Sequence, residues 1–456
     1  MDGCVVVLDV GKTNVKVLAF DPQGNIVAER SRANGPLPAN SLCPYLHLDT
    51  EDAWTFLLRA LREIAATIPI YALSISTHGA AGVLVDDAGV VLPPMDYEWE
   101  GCDVDADEYA ALRPPFDETL SPCVPRGLNL GRQLFHLYRH HPARFARARA
   151  FLTYPQYWAW RLCGVMASET SSLGCHTDLW KPREADFSSL VDRLGWRRLF
   201  PPLRRAWERL GPVRSEVAAA TGLRRDAQTL CGAHDTNAAL AAYLIDRVDP
   251  FTVISTGTWV IVMAVGGQGK LDPNADMLAN VDVRGNPVPS ARFMGGREFA
   301  ILAGAEPANV SEADVASVVA AGVFALPSFS DQGGPFAGRA GRIEGPKPAT
   351  PEGRTALATL YAALMTAHML ERLQAPGELI VEGGFAKTPA FANVLAALTP
   401  GRRVVVAESA AGAAEGAATL THWGRAVAPP KTQPAAGWAL AGLSEYHARW
   451  SALVGH

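Results

Sequence analysis

Val5–Phe20 reads VVVLDVGKTNVKVLAF, and Phe251–Val265 reads FTVISTGTWVIVMAV. Each is a β-branched run, a glycine-centred turn with hydroxyl residues, and a second such run. That pattern predicts a tight hairpin whose turn offers backbone N–H groups to an anion. Two such turns, Gly11 to Asn14 and Ser255 to Thr258, are suited to gripping a polyphosphate from opposite sides. The repetition points to a duplicated, two-lobed nucleotide-binding molecule.

Working outward from the first copy, VVVLDV, VKVLAFD and NIVAERS form a three-stranded meander turned by GKTN and DPQG. A helix is expected over Thr50 to Thr67, opened by Glu51 and Asp52, followed by the buried strand YALSIST ending at His78 and Gly79. The stretch 96–212 reads as a mostly helical insertion rich in Arg and Trp that walls a cleft. After the second hairpin, LYAALMTAHMLERL reads as an amphipathic helix and ELIVEGG as a strand stopping on paired glycines. TPAFANVLAAL is then a helix, RRVVVAE a strand, and AAGAAEGAATL a helix of small residues that lets neighbours approach closely. VAPPKTQPAAG and PFAGRAGRIEGPKPATPEG are turn-dense loops.

The chain has 456 residues, more than one hydrophobic core usually supports, so two domains are expected, 1–245 and 246–456. A net charge of −5 gives no reason to expect nucleic acid or an anionic membrane as partner. No run approaches the roughly 18 apolar residues of a membrane span. The N-terminus lacks the positive charge of a signal peptide, and the seven cysteines form no C-x-x-C pair, which together suggest a reduced, cytoplasmic protein with buried thiols.

Both halves also contain a strand ending in a glycine loop, SISTHGAAG and LIVEGGFAKT. If each half is a mixed sheet flanked by helices, these loops meet at a crevice, with His78 on the polar-substrate side and the small residues beside a flat base. Asp9 ends its strand just before the GKTN turn. Phosphates there would repel it unless a divalent cation lay between, which suggests Mg²⁺. Alone, Asp9 reads equally well as a turn-capping residue; the second hairpin tips the balance to the metal. In CGAHDTNAALAAYL, Asp235 stands at a loop-to-helix boundary behind His234. An N-cap is the common fate of such an Asp, but phosphoryl transfer to an alcohol needs one carboxylate beside the acceptor hydroxyl, a role worth roughly 10² to 10⁴ in rate.

Taken in order, LDVGKTN, STHG, GAHDTNAA, STGTW, VEGGFAKTPAF and ESAAGAAEGAA resemble the FGGY carbohydrate kinases. The resemblance implies an α/β, two-lobed actin-like or ribonuclease H-like ATPase fold, each lobe a mixed β-sheet flanked by helices, with the ligand cleft between lobes. The N-terminal lobe would bind sugar and the C-terminal lobe nucleotide. It implies that Asp9 and Asp235 hold Mg²⁺, that Gly11, Lys12, Thr13 and Asn14 approach the terminal phosphates of ATP, and that Thr256, Gly257 and Thr258 do so from the other lobe. Gly383, Gly384 and Phe385 would border the adenosine. Asp235 would be the catalytic base, with His78, Gly79, Asp96 and His234 around the sugar.

Two departures carry information. Lys12 replaces the usual Thr or Ser and reads either as a phosphate partner or as a solvated turn residue. GAHDT around the base, in place of GGGDN, resembles the rhamnulose and fuculose kinases, which favours a ketose, with a 6-deoxy-L-ketose as the leading candidate. The rivals are a kinase for xylulose, ribulose or a polyol, and a non-catalytic actin-like ATP-binding regulator; a homodimer stays open as the assembly. His140 and His141 lack sequence-adjacent ligands and read as a solvated helix end, RRLFPPLRRAWERL reads as an amphipathic surface segment, and Cys175 beside His176 reads as cleft packing.

Overall fold

The computed structural model describes every residue except 1–2, 41–42, 331–332, 409–411, 426, 428 and 456, so the second to fourth residues of ESAAGAAEGAA and part of VAPPKTQPAAG lie outside the described residues. The chain forms two compact units. The first comprises Met1–Asp246, Ala279–Pro287 and Ala411–Pro429, and the second Arg247–Leu278, Val288–Ala410 and Pro430–His456. A single cut near residue 245 misses the two returns of the chain to the first unit.

In the first unit, β1 (Cys4–Val10), β2 (Asn14–Phe20) and β3 (Ile26–Ala33) form an antiparallel meander. Helix α1 (Thr50–Ala65) then leads into β4 (Ile70–Thr77), which lies parallel to β1. α1 starts where the Asp49 carboxylate accepts the Asp52 N–H, and its buried residues Ala53, Phe56, Leu57, Ala60, Leu61 and Ile64 fall at helical spacing on one face. Val6, Val7 and Leu8 are fully buried, as expected of a central strand covered on both sides.

Further along are α2 (Leu130–His140), α3 (Tyr154–Cys163), β5 (Arg209–Pro212), β6 (Gln228–Leu230) and α4 (Asp235–Leu244). The sheet order is β5-β6-β4-β1-β2-β3, with β6 parallel to β4. The 96–212 stretch is therefore neither mostly helical nor wholly an insertion. Its helices are short, β5 joins the main sheet, and Tyr157 and Trp158 of α3 pack in the same core as Val6, Leu8 and Ile75.

The second unit repeats the pattern. β7 (Phe251–Thr256) and β8 (Val260–Val265) are the antiparallel hairpin, and β8 pairs with β9 (Pro287–Phe293). Helix α5 (Pro351–Arg372) precedes β10 (Glu378–Gly383), which lies parallel to β7, and beyond it come β11 (Val404–Ala407) and β12 (Thr432–Pro434). Asp9 and Val10 of β1 face Ser76 and Thr77 of β4, as Ser255 and Thr256 of β7 face Glu382 and Gly383 of β10. The duplication seen in the two hairpins thus extends to the parallel strand beside each. α5 is buried on every face from Thr355 to Leu370, so it is a core helix and not the amphipathic one its sequence suggested. Small Ala and Thr residues fill the face that looked polar.

The helix Gly412–Thr419 returns to the first unit and packs on α4. A Cβ at Gly416 would stand 1.8 Å from the Ala238 carbonyl oxygen, a distance no side chain tolerates. Gly416→Val is therefore expected to lower stability by at least about 2 kcal/mol, the cost of overpacking against unyielding backbone. A thermal melt unchanged from the parent would contradict this close crossing.

Candidate functional site

The first unit gathers polar groups where β1 and β4 end side by side. The His78 N–H donates to the Val10 carbonyl at 3.2 Å, and Ala233 and His234 pair in parallel with Ser76 and Thr77. This register brings His78, His234 and Asp9 to one edge, and Asp235 follows immediately as the first residue of α4. Gly79 is required there, because a Cβ would come within 2.7 Å of His234 Nε2.

His78 is buried and its charge is disfavoured by that burial. Its Nδ1 faces the Gly79 carbonyl at 2.9 Å and therefore donates, which leaves Nε2 an acceptor; among the described residues nothing donates to it. Asp96, 1% exposed, uses Oδ1 for the Glu98 N–H at 2.7 Å and for Lys12 Nζ at 3.1 Å, while buried Oδ2 has no partner among the described residues. His78 Nε2 and Asp96 Oδ2 are two buried acceptors without donors. A ligand rich in hydroxyls supplies what they lack.

Lys12 is committed to this acidic segment. Besides Asp96, its ammonium lies 2.7 Å from Glu98 Oε2 and 4.0 Å from the centre of the Tyr97 ring. Neither expectation for Lys12, phosphate partner or solvated turn residue, matches this placement. Likewise the Gly11 N–H closes its own turn by donating to Asn14 O at 2.9 Å, and Asn34 holds the Gly11 and Thr13 carbonyls. The turn's first donor is thus spent internally, with Thr13 and Asn14 exposed beyond it.

The carboxylates carry the electrostatics of the site. Burial raises the Asp9 carboxyl to about 6, and the nearby Asp235 adds to the rise while Lys16 and Ser76 oppose it. Asp235 Oδ1 accepts the Thr236 N–H at 2.6 Å and lies 3.0 Å from His234 Nε2; among the described residues these contacts fall on Oδ1 alone, leaving Oδ2 for a ligand. Two carboxylates close enough for the charge of Asp235 to raise the Asp9 carboxyl suit a hard divalent ion such as Mg²⁺.

Behind Asp235 stands a pair that the sequence did not reveal. Cys175 Sγ lies 3.7 Å from His234 Nε2. Burial opposes thiolate formation, yet His176 and His234 bring Cys175 down to about 5. Burial also opposes the imidazolium, yet the Cys175 thiolate and Asp235 carry His234 up to about 9. Cys175 therefore touches the histidine that meets Asp235, beyond the cleft packing expected of it; His176 beside it in the chain was the signal the sequence offered. Glu98 and Tyr97 were also missed, although both lie in the MDYEWEG segment that contains Asp96. Of the other thiols, Cys123 is exposed.

In the second unit Thr256 is buried and ties two loops together. Its hydroxyl donates to Glu382 O at 2.5 Å and accepts the Phe385 N–H at 2.9 Å, and its carbonyl accepts the Gly384 N–H at 2.6 Å. Thr256 therefore builds the loop and has no hydroxyl left for phosphate. Gly257 and Thr258 are exposed, although the Gly257 N–H is held by Trp259 O at 2.8 Å. Gly383 adopts φ +86°, and a Cβ there would lie 2.0 Å from Thr256 O, so only glycine fits. Gly383, Ala386, Lys387, Val406 and Ala407 line a cavity of about 390 Å³.

This duplicated arrangement of mixed sheets defines an actin-like ATPase fold. Residues 126–242 match the N-terminal domain of the FGGY family of carbohydrate kinases, and residues 248–430 match the FGGY C-terminal domain. A crystal structure of a carbohydrate kinase from Novosphingobium aromaticivorans is 36% identical, covers 99% of this chain and 98% of that one, and superposes with a TM-score of 0.92. The chain belongs to the FGGY family of carbohydrate kinases. It is 30% identical over 273 residues to an L-fuculokinase of Salmonella typhi, a match spanning 58% of this chain and 57% of the relative's own length. A rhamnulokinase of Halalkalibacterium halodurans is 28% identical over 137 residues, 28% of this chain and 27% of that one. A xylulose kinase from Rhodospirillum rubrum, 19% identical with a TM-score of 0.78 over 99% of this chain and 98% of that one, shares the fold. No helix among the described residues is long and apolar enough to cross a membrane.

The raised Asp9 carboxyl has a thermodynamic signature. Its protonation stabilises the fold fully below the ordinary carboxylate range near pH 4, and that stabilisation is lost as pH rises through about 6. Asp9→Asn is thus expected to stabilise the ligand-free chain at about pH 8 by on the order of 1–2 kcal/mol, with the gain vanishing near pH 4. Equal melting temperatures of variant and parent at both pH values would place Asp9 in water.

Proposed function

We propose that the protein transfers the γ-phosphoryl group of ATP to a hydroxyl of a ketose, a 6-deoxy-L-ketose such as L-fuculose or L-rhamnulose. The observation that carries this reading is the pair of buried, donorless acceptors, His78 Nε2 and Asp96 Oδ2, in the same unit as the free Asp235 Oδ2. The L-fuculokinase relatives and the GAHDT sequence around the base support the deoxy-ketose over xylulose, ribulose or a polyol. An actin-like regulator without sugar chemistry has no use for two buried acceptors beside a carboxylate.

In this mechanism the sugar donates hydroxyl hydrogens to His78 Nε2 and Asp96 Oδ2, which fixes its orientation. Lys12 holds the Asp96 carboxylate in place through Oδ1. Asp235 accepts the proton of the attacking hydroxyl as that oxygen bonds to the γ-phosphorus, and ADP departs with the electrons of the broken P–O bond. His234, itself held by Cys175, steadies the carboxylate through Oδ1. Asp9 and Asp235 would hold Mg²⁺, which would supply charge neutralisation at the phosphates. The exposed Gly257–Thr258 turn is suited to the phosphates, and the cavity beside Gly383 to the adenosine. The seven free cysteines fit a reducing compartment.

The test is ADP release measured over a panel of ketoses and polyols, with L-fuculose and L-rhamnulose giving the highest kcat/KM. Asp235→Asn should keep ATP affinity and lose sugar phosphorylation by at least about a hundredfold. Near-parental turnover in that variant would remove Asp235 as the base, and a preference for xylulose or glycerol would overturn the deoxy-ketose assignment.

A further inference from the structure

The RHHPARF stretch has a carboxylate partner that its sequence conceals. α2 carries His136 and His140 one helical turn apart, and Asp105, the last residue of the 3₁₀ helix Glu100–Asp105, lies against both. His136 Nδ1 is 2.7 Å from Asp105 Oδ2, and His140 Nε2 is 2.9 and 3.1 Å from the two carboxylate oxygens. The imidazole rings stack with centroids 4.3 Å apart. We propose that Asp105, His136 and His140 form a binding site for a divalent transition ion of the zinc class.

Several observations converge on this. One ligand atom from each residue falls within 4.8 Å of the others. Neighbours around a tetrahedral ion with bonds of about 2 Å stand roughly 3.3 Å apart, so the nitrogen–oxygen pairs, now 2.7 to 3.1 Å, need widen by only a few tenths of an ångström to admit the ion. Two imidazole nitrogens and one carboxylate oxygen suit Zn²⁺, Co²⁺ or Ni²⁺ and not Mg²⁺ or Ca²⁺, which take oxygen ligands.

The charge around the site is equally suggestive. Asp105 is only 8% exposed, and among the described residues it meets no Lys or Arg. The arginines of the same helix are engaged elsewhere, Arg132 with Asp103 and Arg139 with Glu108. A buried carboxylate is thus left with two imidazoles as its hydrogen-bond partners, a set that a dication completes.

The site has a fixed side and an open side. The Trp99 ring sits 5.0 Å from the His136 ring and holds it, whereas the His140 side chain is 43% exposed and gives an ion and a completing water access from solvent. A bound ion would clamp the 3₁₀ helix to α2. None of the three residues belongs to the sugar or phosphate machinery proposed above, so the two readings stand or fall separately.

The experiment is calorimetric titration of the EDTA-stripped full-length chain with ZnCl₂, beside His140→Ala and Asp105→Asn. The parent should take up one equivalent that excess Mg²⁺ does not displace. Losing a direct ligand should weaken binding at least as much as losing an outer-shell partner does, on the order of a hundredfold. His140 is half exposed, so its variant should fold, as far-ultraviolet circular dichroism will verify. With Co²⁺ in place of Zn²⁺, the parent should show the visible absorption of a tetrahedral ion and His140→Ala should not. No uptake by the parent, or equal uptake by His140→Ala, would overturn the site and leave a hydrogen-bonded Asp–His–His cluster.

Discussion

The parallel pairing of β1 with β4 is the constraint from which the first unit's site follows. Its register sets Asp9 beside Ser76 and Val10 beside Thr77, and the next residue, His78, bonds back to Val10. The short parallel bridge from Ala233 and His234 extends the same edge by one more chain. A carboxylate, two imidazoles and the start of a helix are thereby fixed by backbone hydrogen bonds, with no long side chain needed to set their spacing. Ligand sites at the carboxyl ends of parallel strands arise in this way, since the loops leaving those ends are free to diverge while their origins are not.

Around that edge the energetics run against stability. Asp9 is partly buried near another carboxylate, and His78 Nε2 and Asp96 Oδ2 are buried without donors among the described residues. Each is a cost in the free chain that a ligand removes, the pattern expected of groups arranged for binding and not for folding. Elsewhere the buried charges are better matched: Asp178 receives both Arg113 and the Tyr109 hydroxyl.

How much of this could be read in the sequence depended on contact range. The hairpins, the strand ending at His78 and the placement of Asp235 at a helix start are local, written in β-branched runs, glycine turns and an Ala-rich helix. The ties that give these residues their chemistry are distant. Lys12 meets Asp96 across 84 positions, Cys175 meets His234 across 59, and His140 meets Asp105 across 35. No periodicity encodes such pairs. The spent N–H of Gly11 and the internally bonded hydroxyl of Thr256 were hidden for a related reason, because residue type shows what a group offers and not what already occupies it. α5 misled through small residues, which bury as readily as large ones where helices crowd.

The helix that presents Asp235 meets its neighbour through alanines and a glycine, with Gly416 lying on the Ala238 carbonyl. Such a contact has no rotamers to exchange. The height of the carboxylate above the strand ends is therefore dictated by main-chain thickness, and evolutionary drift among the larger core side chains is insulated from that carboxylate. The Asp96–Glu98 segment is freer to change, since its hold on Lys12 depends entirely on side chains.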